Sequence, residues 1–248
     1  MVAISYQLYS SRNFPDVARQ AAMLAGIGYK HVEPFGGQFG DVPTLKATLD
    51  AHGLTAPTAH IGIPALRQDF AGTMAKVKAL GVQIAIVPAV PPDERTNDLA
   101  GWKKLGAELA GYADRANDLG LRFGWHNHHF VFAQLPDGSF PMEWVLGEKQ
   151  NLLWQVDLAW VMRGKQDPIT WTKRYASRVI GFHVKDLAPE GTCVDEDGWA
   201  DPGYGILDWQ ALLPVMRATP AEVWTLEHDN PNDDARFARR GFATVAGW

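Results

Sequence analysis

The sequence predicts an α/β protein folded as a single (β/α)8 (TIM) barrel over residues 1–248, and three observations carry that expectation. Apolar runs of strand length alternate eight times with longer stretches of helical periodicity, as expected for successive βα units on a parallel sheet. The 248 residues come close to the ~250 usual for such a barrel. Asp157, His183 and Glu227 each close an apolar, β-branched run, and barrels present their functional groups at the carboxyl ends of their strands.

Taken in order, the expected strands are 4–9, 30–35, 54–63, 83–90, 121–129, 152–160, 179–187 and 223–229. Helices are expected over 14–26, 41–52, 65–80, 96–119, 139–148, 168–176, 208–218 and 232–245. Gly53 and Gly81 follow periodic stretches as helix stops. Asn13, with Pro15 in the first turn, and Asp41 stand at helix starts. Residues 188–207, rich in Gly, Pro and Asp, form the longest irregular stretch and are expected to lie over the mouth of the barrel.

Composition narrows the classes of function. With 46% hydrophobic and 21% charged residues, the chain is ordinary globular material with ample core. A formal charge of −5 and the lack of a basic run give nucleic acid no electrostatic footprint. The single cysteine, Cys193, cannot form an internal disulfide, which agrees with a reducing compartment. No basic leader or long apolar segment opens the sequence, so a cytoplasmic protein without a membrane span is expected. Self-association into a homo-oligomer stays open at this level.

Alone, a carboxylate after a strand reads equally well as a helix cap or a surface ion pair. Three ligand-type residues at equivalent strand ends read as a site for a divalent ion such as Mn2+, Co2+, Mg2+ or Zn2+, which oxygen and imidazole donors suit. Side chains alternate along a strand, so His183 shares a face with Lys185, and His126 shares one with His128; Asn127 and His129 are expected to face the helices. Glu33 and His60 close earlier strand-like runs, Glu33 reading as a mouth carboxylate or a helix cap and His60 equally as site or core residue. Trp160 and Trp199 stand where a sugar's apolar face can stack.

The segments WHNHHFVF, DLAWVMRGKQDP, HVKD, GYGILDW and LEHD resemble, in order and spacing, the xylose-isomerase-like sugar phosphate isomerase/epimerase superfamily, in its branch with a Tyr/Trp-His-Asn-His fifth strand. The resemblance is strong from about residue 120 onward and rests on pattern alone before that. It implies one divalent metal held by Asp157, His183 and Glu227, a substrate-contacting His60, and Lys185 meeting a substrate oxygen. Two departures stand out. Keto-sugar 3-epimerases of this superfamily carry a fifth-strand glutamate where this chain has only histidines, so the fourth ligand falls to His126 or His128. Their Asp-x-x-His motif is Asp157-Leu158-Ala159-Trp160 here, and the glutamate expected in the Phe-Glu-Phe that follows the fifth strand is Val131.

The expected chemistry is proton abstraction beside the carbonyl of a sugar or keto-sugar through an enediolate. Glu227 would act as base, His128 or Lys185 as proton partner, and Glu33, His60 and Trp160 as substrate contacts. Isomerisation or epimerisation leads; a lyase of the inosose-dehydratase or 3-keto-glycoside-cleaving kind is the alternative. A non-catalytic sugar-binding protein comes third, since Asp157, His183, Lys185 and Glu227 occur together. A nuclease on the same barrel would need a basic groove, which the charge denies it.

Overall fold

The computed structural model describes residues 2–14, 16–95, 97–147 and 149–248. Eight parallel strands line the barrel: β1 (Ala3–Gln7), β2 (His31–Glu33), β3 (Thr58–His60), β4 (Ile84–Val87), β5 (Arg122–His126), β6 (Leu153–Asp157), β7 (Val179–Val184) and β10 (Val223–Leu226). They pair in the order β2, β1, β10, β7, β6, β5, β4, β3. The bridges His31–Thr55 and Phe35–His60 then bring β2 back to β3, making a nearly closed barrel. Helices cover the outside, so strands such as IAIV of β4 are buried on both faces and read as continuous apolar runs. A plug of Ile84, Ile86 and Ile180 packs with Leu153 toward the strand starts. Polar side chains gather at the other ends.

The helices are α1 (Val17–Ile27), α2 (Val42–Ala51), α3 (Ile63–Gln68), α4 (Phe70–Ala79), α5 (Leu99–Asp118), α6 (Pro141–Leu146), α7 (Leu158–Arg163), α8 (Pro168–Arg174), α9 (Trp209–Arg217) and α10 (Asp234–Ala246). Asp41 caps α2 as expected, its carboxylate accepting from Thr44 N at 3.1 Å. The stops at Gly53 and Gly81 are real, with φ of +65° and +87°. α1 begins later than Asn13 suggests, because Asp16 caps it through Arg19 N at 2.7 Å; Pro15 lies outside the described residues.

Three other expectations give way to local chemistry. The helix over 65–80 divides at Asp69, whose carboxylate accepts from Gly72 N and starts α4. The strand over 152–160 stops at Asp157, where a carboxylate oxygen takes Trp160 N at 2.8 Å and starts α7. The strand over 179–187 breaks after Val184. Asp186–Leu187 (β8) instead pairs antiparallel with Trp199–Ala200 (β9), folding the long loop into a hairpin.

Asp186 anchors that loop. Its Oδ1 accepts from the amides of Leu187 and Leu207, and its Oδ2 from those of Gly203 and Gly205 and from Trp209 Nε1 at 2.8 Å. A side chain at Gly205 would place its Cβ 2.2 Å from Asp186 Oδ1, so this close approach needs glycine. No helix among the described residues is long and apolar enough to cross a membrane.

Candidate metal centre and its pocket

Barrel register assembles the site. Asp157 on β6 stands beside His183 on β7, and Thr225 on β10 also pairs with His183, so Glu227 emerges on the same face just past the end of β10. His126 closes β5. Ligand atoms of His126, Asp157, His183 and Glu227 all lie within 4.8 Å of one another, and all four residues are buried.

Second contacts hold these groups in place. Asn127, fully buried on the helix side of β5 as its alternation with His126 predicts, donates from Nδ2 to Asp157 O and accepts Asp157 N on Oδ1, both at 3.0 Å, and accepts Trp154 Nε1 at 2.9 Å. It thereby clamps the backbone of the β6 carboxylate residue. His183 reaches Glu227 Oε2 with Nδ1 at 2.8 Å and Glu33 Oε1 with Nε2 at 2.6 Å. Glu33 is itself held by Gln7 Nε2 and Gln155 Nε2, each at 2.7 Å. A carboxylate on the far nitrogen of a ligating histidine fixes ring orientation and raises its basicity.

A metal fits this donor set. Asp157 Oδ2 and His126 Nδ1 are buried and find no hydrogen-bond partner among the described residues, an arrangement that a shared cation relieves. His60, His126 and His183 form a second converging group. There, however, His60 Nε2 is engaged by Gln155 Oε1 at 2.7 Å and His183 Nε2 by Glu33, so the mixed nitrogen and oxygen set has the freer donors.

Lys185 is wholly buried. Its Nζ lies 2.6 Å from Asp229 Oδ2, 3.1 Å from Glu227 Oε2 and 3.9 Å from Asp157 Oδ2, against the rings of Trp199 (4.3 Å) and Trp160 (5.1 Å). Burial opposes the ammonium, but Asp229, Glu227 and Asp157 raise its pKa above the ordinary lysine value. Burial likewise opposes charge on His183, yet Glu227 and Glu33 carry it up to about 10, so both ring nitrogens donate. Glu33 sits at about 2, because His60 and His183 outweigh its burial. Burial pushes the Asp157 carboxyl up, while Lys185 and His183 hold Glu227 well below its usual range despite burial. Burial and like-charged neighbours keep His126 and His128 neutral, His128 at about 3.

A cavity of about 350 Å3 opens above the cluster. Its lining combines the polar His60, His126, His128, Glu227 and Asp229 with Tyr9, Phe35, Gly36, Gly37, Gly62, Pro88 and Ala89. Of the two fifth-strand histidines, His126 joins the ligand cluster, while His128 is half-buried in the pocket wall with its ring stacked on Phe130. Glu33 lies beneath the mouth, fully buried on His183, and does not cap the next helix. Trp160, on α7, packs edge-on to Trp199 at 4.6 Å, stacks with the exposed His129 and backs the pocket-lining His128 at 5.1 Å without itself lining the pocket. Gln7, Gln155 and Asp229 escaped the sequence reading, and Asn127 entered it only as a helix-facing residue. Only Asp229 carried a signal, two residues beyond Glu227 and so on the same side of an extended run.

Residues 21–245 match the xylose isomerase-like TIM barrel family, and the chain belongs to it. The family holds sugar-modifying enzymes, among them isomerases, epimerases and dehydratases. The chain is 24% identical to the inosose dehydratase of Clostridium beijerinckii over 166 residues, 59% of this chain and 55% of that protein. It spans about half the length of the curated relatives it matches. A sugar phosphate isomerase/epimerase from Parabacteroides distasonis superposes with a TM-score of 0.82 at 19% identity, covering 98% of this chain and 93% of that one. The IolI protein, solved with a bound zinc atom, superposes with a TM-score of 0.79 at 14% identity over 100% and 97% of the two chains. At these identities the structural likeness establishes the fold.

Proposed function

We propose that the protein is a divalent-metal-dependent isomerase or epimerase of a sugar or keto-sugar, working by proton abstraction beside the carbonyl. The convergence of His126, Asp157, His183 and Glu227 beneath one pocket carries this reading. When bound there, a divalent ion supplies Lewis acidity that makes the hydrogen next to a substrate carbonyl acidic. Glu227, ionised and facing the cavity, takes that proton. Lys185, 3.1 Å from Glu227, stabilises the carboxylate and the negative charge of the enediolate. His128 lines the same pocket as Glu227, its buried Nδ1 without a hydrogen-bond partner among the described residues, and serves as the proton partner. The substrate is a small carbohydrate, with His60 at the pocket wall.

A second reading, elimination of water or an aglycone from the same enediolate, draws support from the curated inosose dehydratase relatives. One experiment tests the shared step and separates the outcomes. Turnover of a cognate keto-sugar in D2O should place deuterium on the carbon beside the carbonyl, and Glu227→Gln should abolish it. A product of unchanged mass apart from the label means isomerisation or epimerisation; loss of water or an aglycone means elimination. Conversion without label, and without an isotope effect from a deuterated substrate, refutes proton abstraction at that carbon.

A further inference from the structure

The metal-assisted reading above leaves the ion open, and the inference here rests on that reading. One oxygen of each carboxylate in the centre is already engaged. One oxygen of Asp157 is committed to Trp160 N at the start of α7, leaving Oδ2. Oε2 of Glu227 already accepts from Lys185 Nζ and His183 Nδ1. Mg2+ demands an octahedron of oxygens, and carboxylate, carbonyl and water donors likewise suit Mn2+, whereas imidazole suits Zn2+.

The remaining donor decides the balance. His126 is 1% exposed, its Nδ1 finds no partner among the described residues, and its ring lies 4.4 Å from that of His183 and 5.1 Å from that of His60. A buried neutral imidazole with an idle nitrogen is costly unless that nitrogen is used. We propose that His126 is the second imidazole ligand and the residue that sets this centre's preference for Zn2+ over Mn2+ and Mg2+.

Any site with nitrogen donors ranks Zn2+ above Mn2+, so the diagnostic quantity is the change in that ranking when His126 is replaced. The metal-free wild type and His126→Glu are titrated with Zn2+ and Mn2+ against a chelating indicator. The ratio of the two affinities should fall at least about tenfold in the variant. An unchanged ratio overturns the proposal. A measurement on the wild type alone guards against a variant that does not fold: pulsed EPR of the Cu2+-loaded protein counts imidazole ligands. Two support the proposal and one overturns it. Both readouts are independent of turnover. Two imidazoles without deuterium exchange would sink the proton-abstraction reading alone, and exchange with one imidazole would sink this inference alone.

Discussion

His183 Nε2 lies 2.6 Å from Oε1 of Glu33, a carboxylate that enters the barrel from β2, three places away from β7 in the strand order. The other nitrogen of the same ring faces Glu227. One imidazole thus bridges two carboxylates carried by different strands. Glu33→Gln keeps the shape and removes the charge, so zinc affinity should weaken about 10–100-fold, the usual cost of losing a histidine's outer partner. A chelator competition titration reads this directly. Unaltered affinity would show that Glu33 does not orient the ligand.

The same pair gives a pH dependence of definite sign. His183 titrates at about 10 in the metal-free fold against an ordinary 6.5. Its contribution to stability is therefore fully present below 6.5 and is lost as pH rises through about 10. Glu33 runs the other way, stabilising above 4.5 and losing its contribution as pH falls through about 2. A bound metal requires His183 without its ligand-side proton, so metal uptake near neutral pH should release protons. Melting temperatures against pH, with and without zinc, should show an alkaline decline that zinc suppresses.

Lys185→Met removes the one ammonium among Asp157, Glu227 and Asp229. Breaking a buried pair by deleting one partner costs about 3–5 kcal/mol, so the metal-free variant should melt well below the wild type. Added zinc should then raise the melting point of the variant more than that of the wild type, since a cation again meets the carboxylates. If Lys185 also stabilises the reacting charge, kcat/KM falls roughly 10–1000-fold in the zinc-loaded variant.

Two glycines of α5 make a paired test of packing away from the site. A Cβ at Gly106 would sit 2.1 Å from the carbonyl oxygen of Trp144 on α6, while at Gly111 it would meet nothing within 4 Å. Gly106→Ala should destabilise by about 1–3 kcal/mol through overpacking. Gly111→Ala should stabilise by about 0.5–1 kcal/mol, because a helix-interior glycine loses the most chain entropy. Denaturant midpoints check both signs.

The barrel was legible because strands covered on both faces read as unbroken apolar runs, as in β4, and because each recurs once per βα unit. Asp157, His183 and Glu227 were legible for the same reason: all three terminate such runs. The limits of that signal show at LLWQVDLAW. Periodicity cannot separate a strand from a buried helical turn in so short an apolar stretch, and only the cap from Asp157 to Trp160 N reveals where β6 stops. β8 and β9 are two residues each, too short for any alternation to register. Gln7, Gln155 and Asn127 carry no charge to draw notice, and their importance comes from bonds to residues on other strands that only closure of the barrel brings near.

The bridges at His31–Thr55 and Phe35–His60 fasten the barrel where β2 meets β3, and His60 belongs both to that seam and to the side chains around Glu33. Mechanical and electrical behaviour are joined at this residue. Widening the mouth along the seam draws the His60 ring from Gln155 and Glu33, and so changes the field at His183.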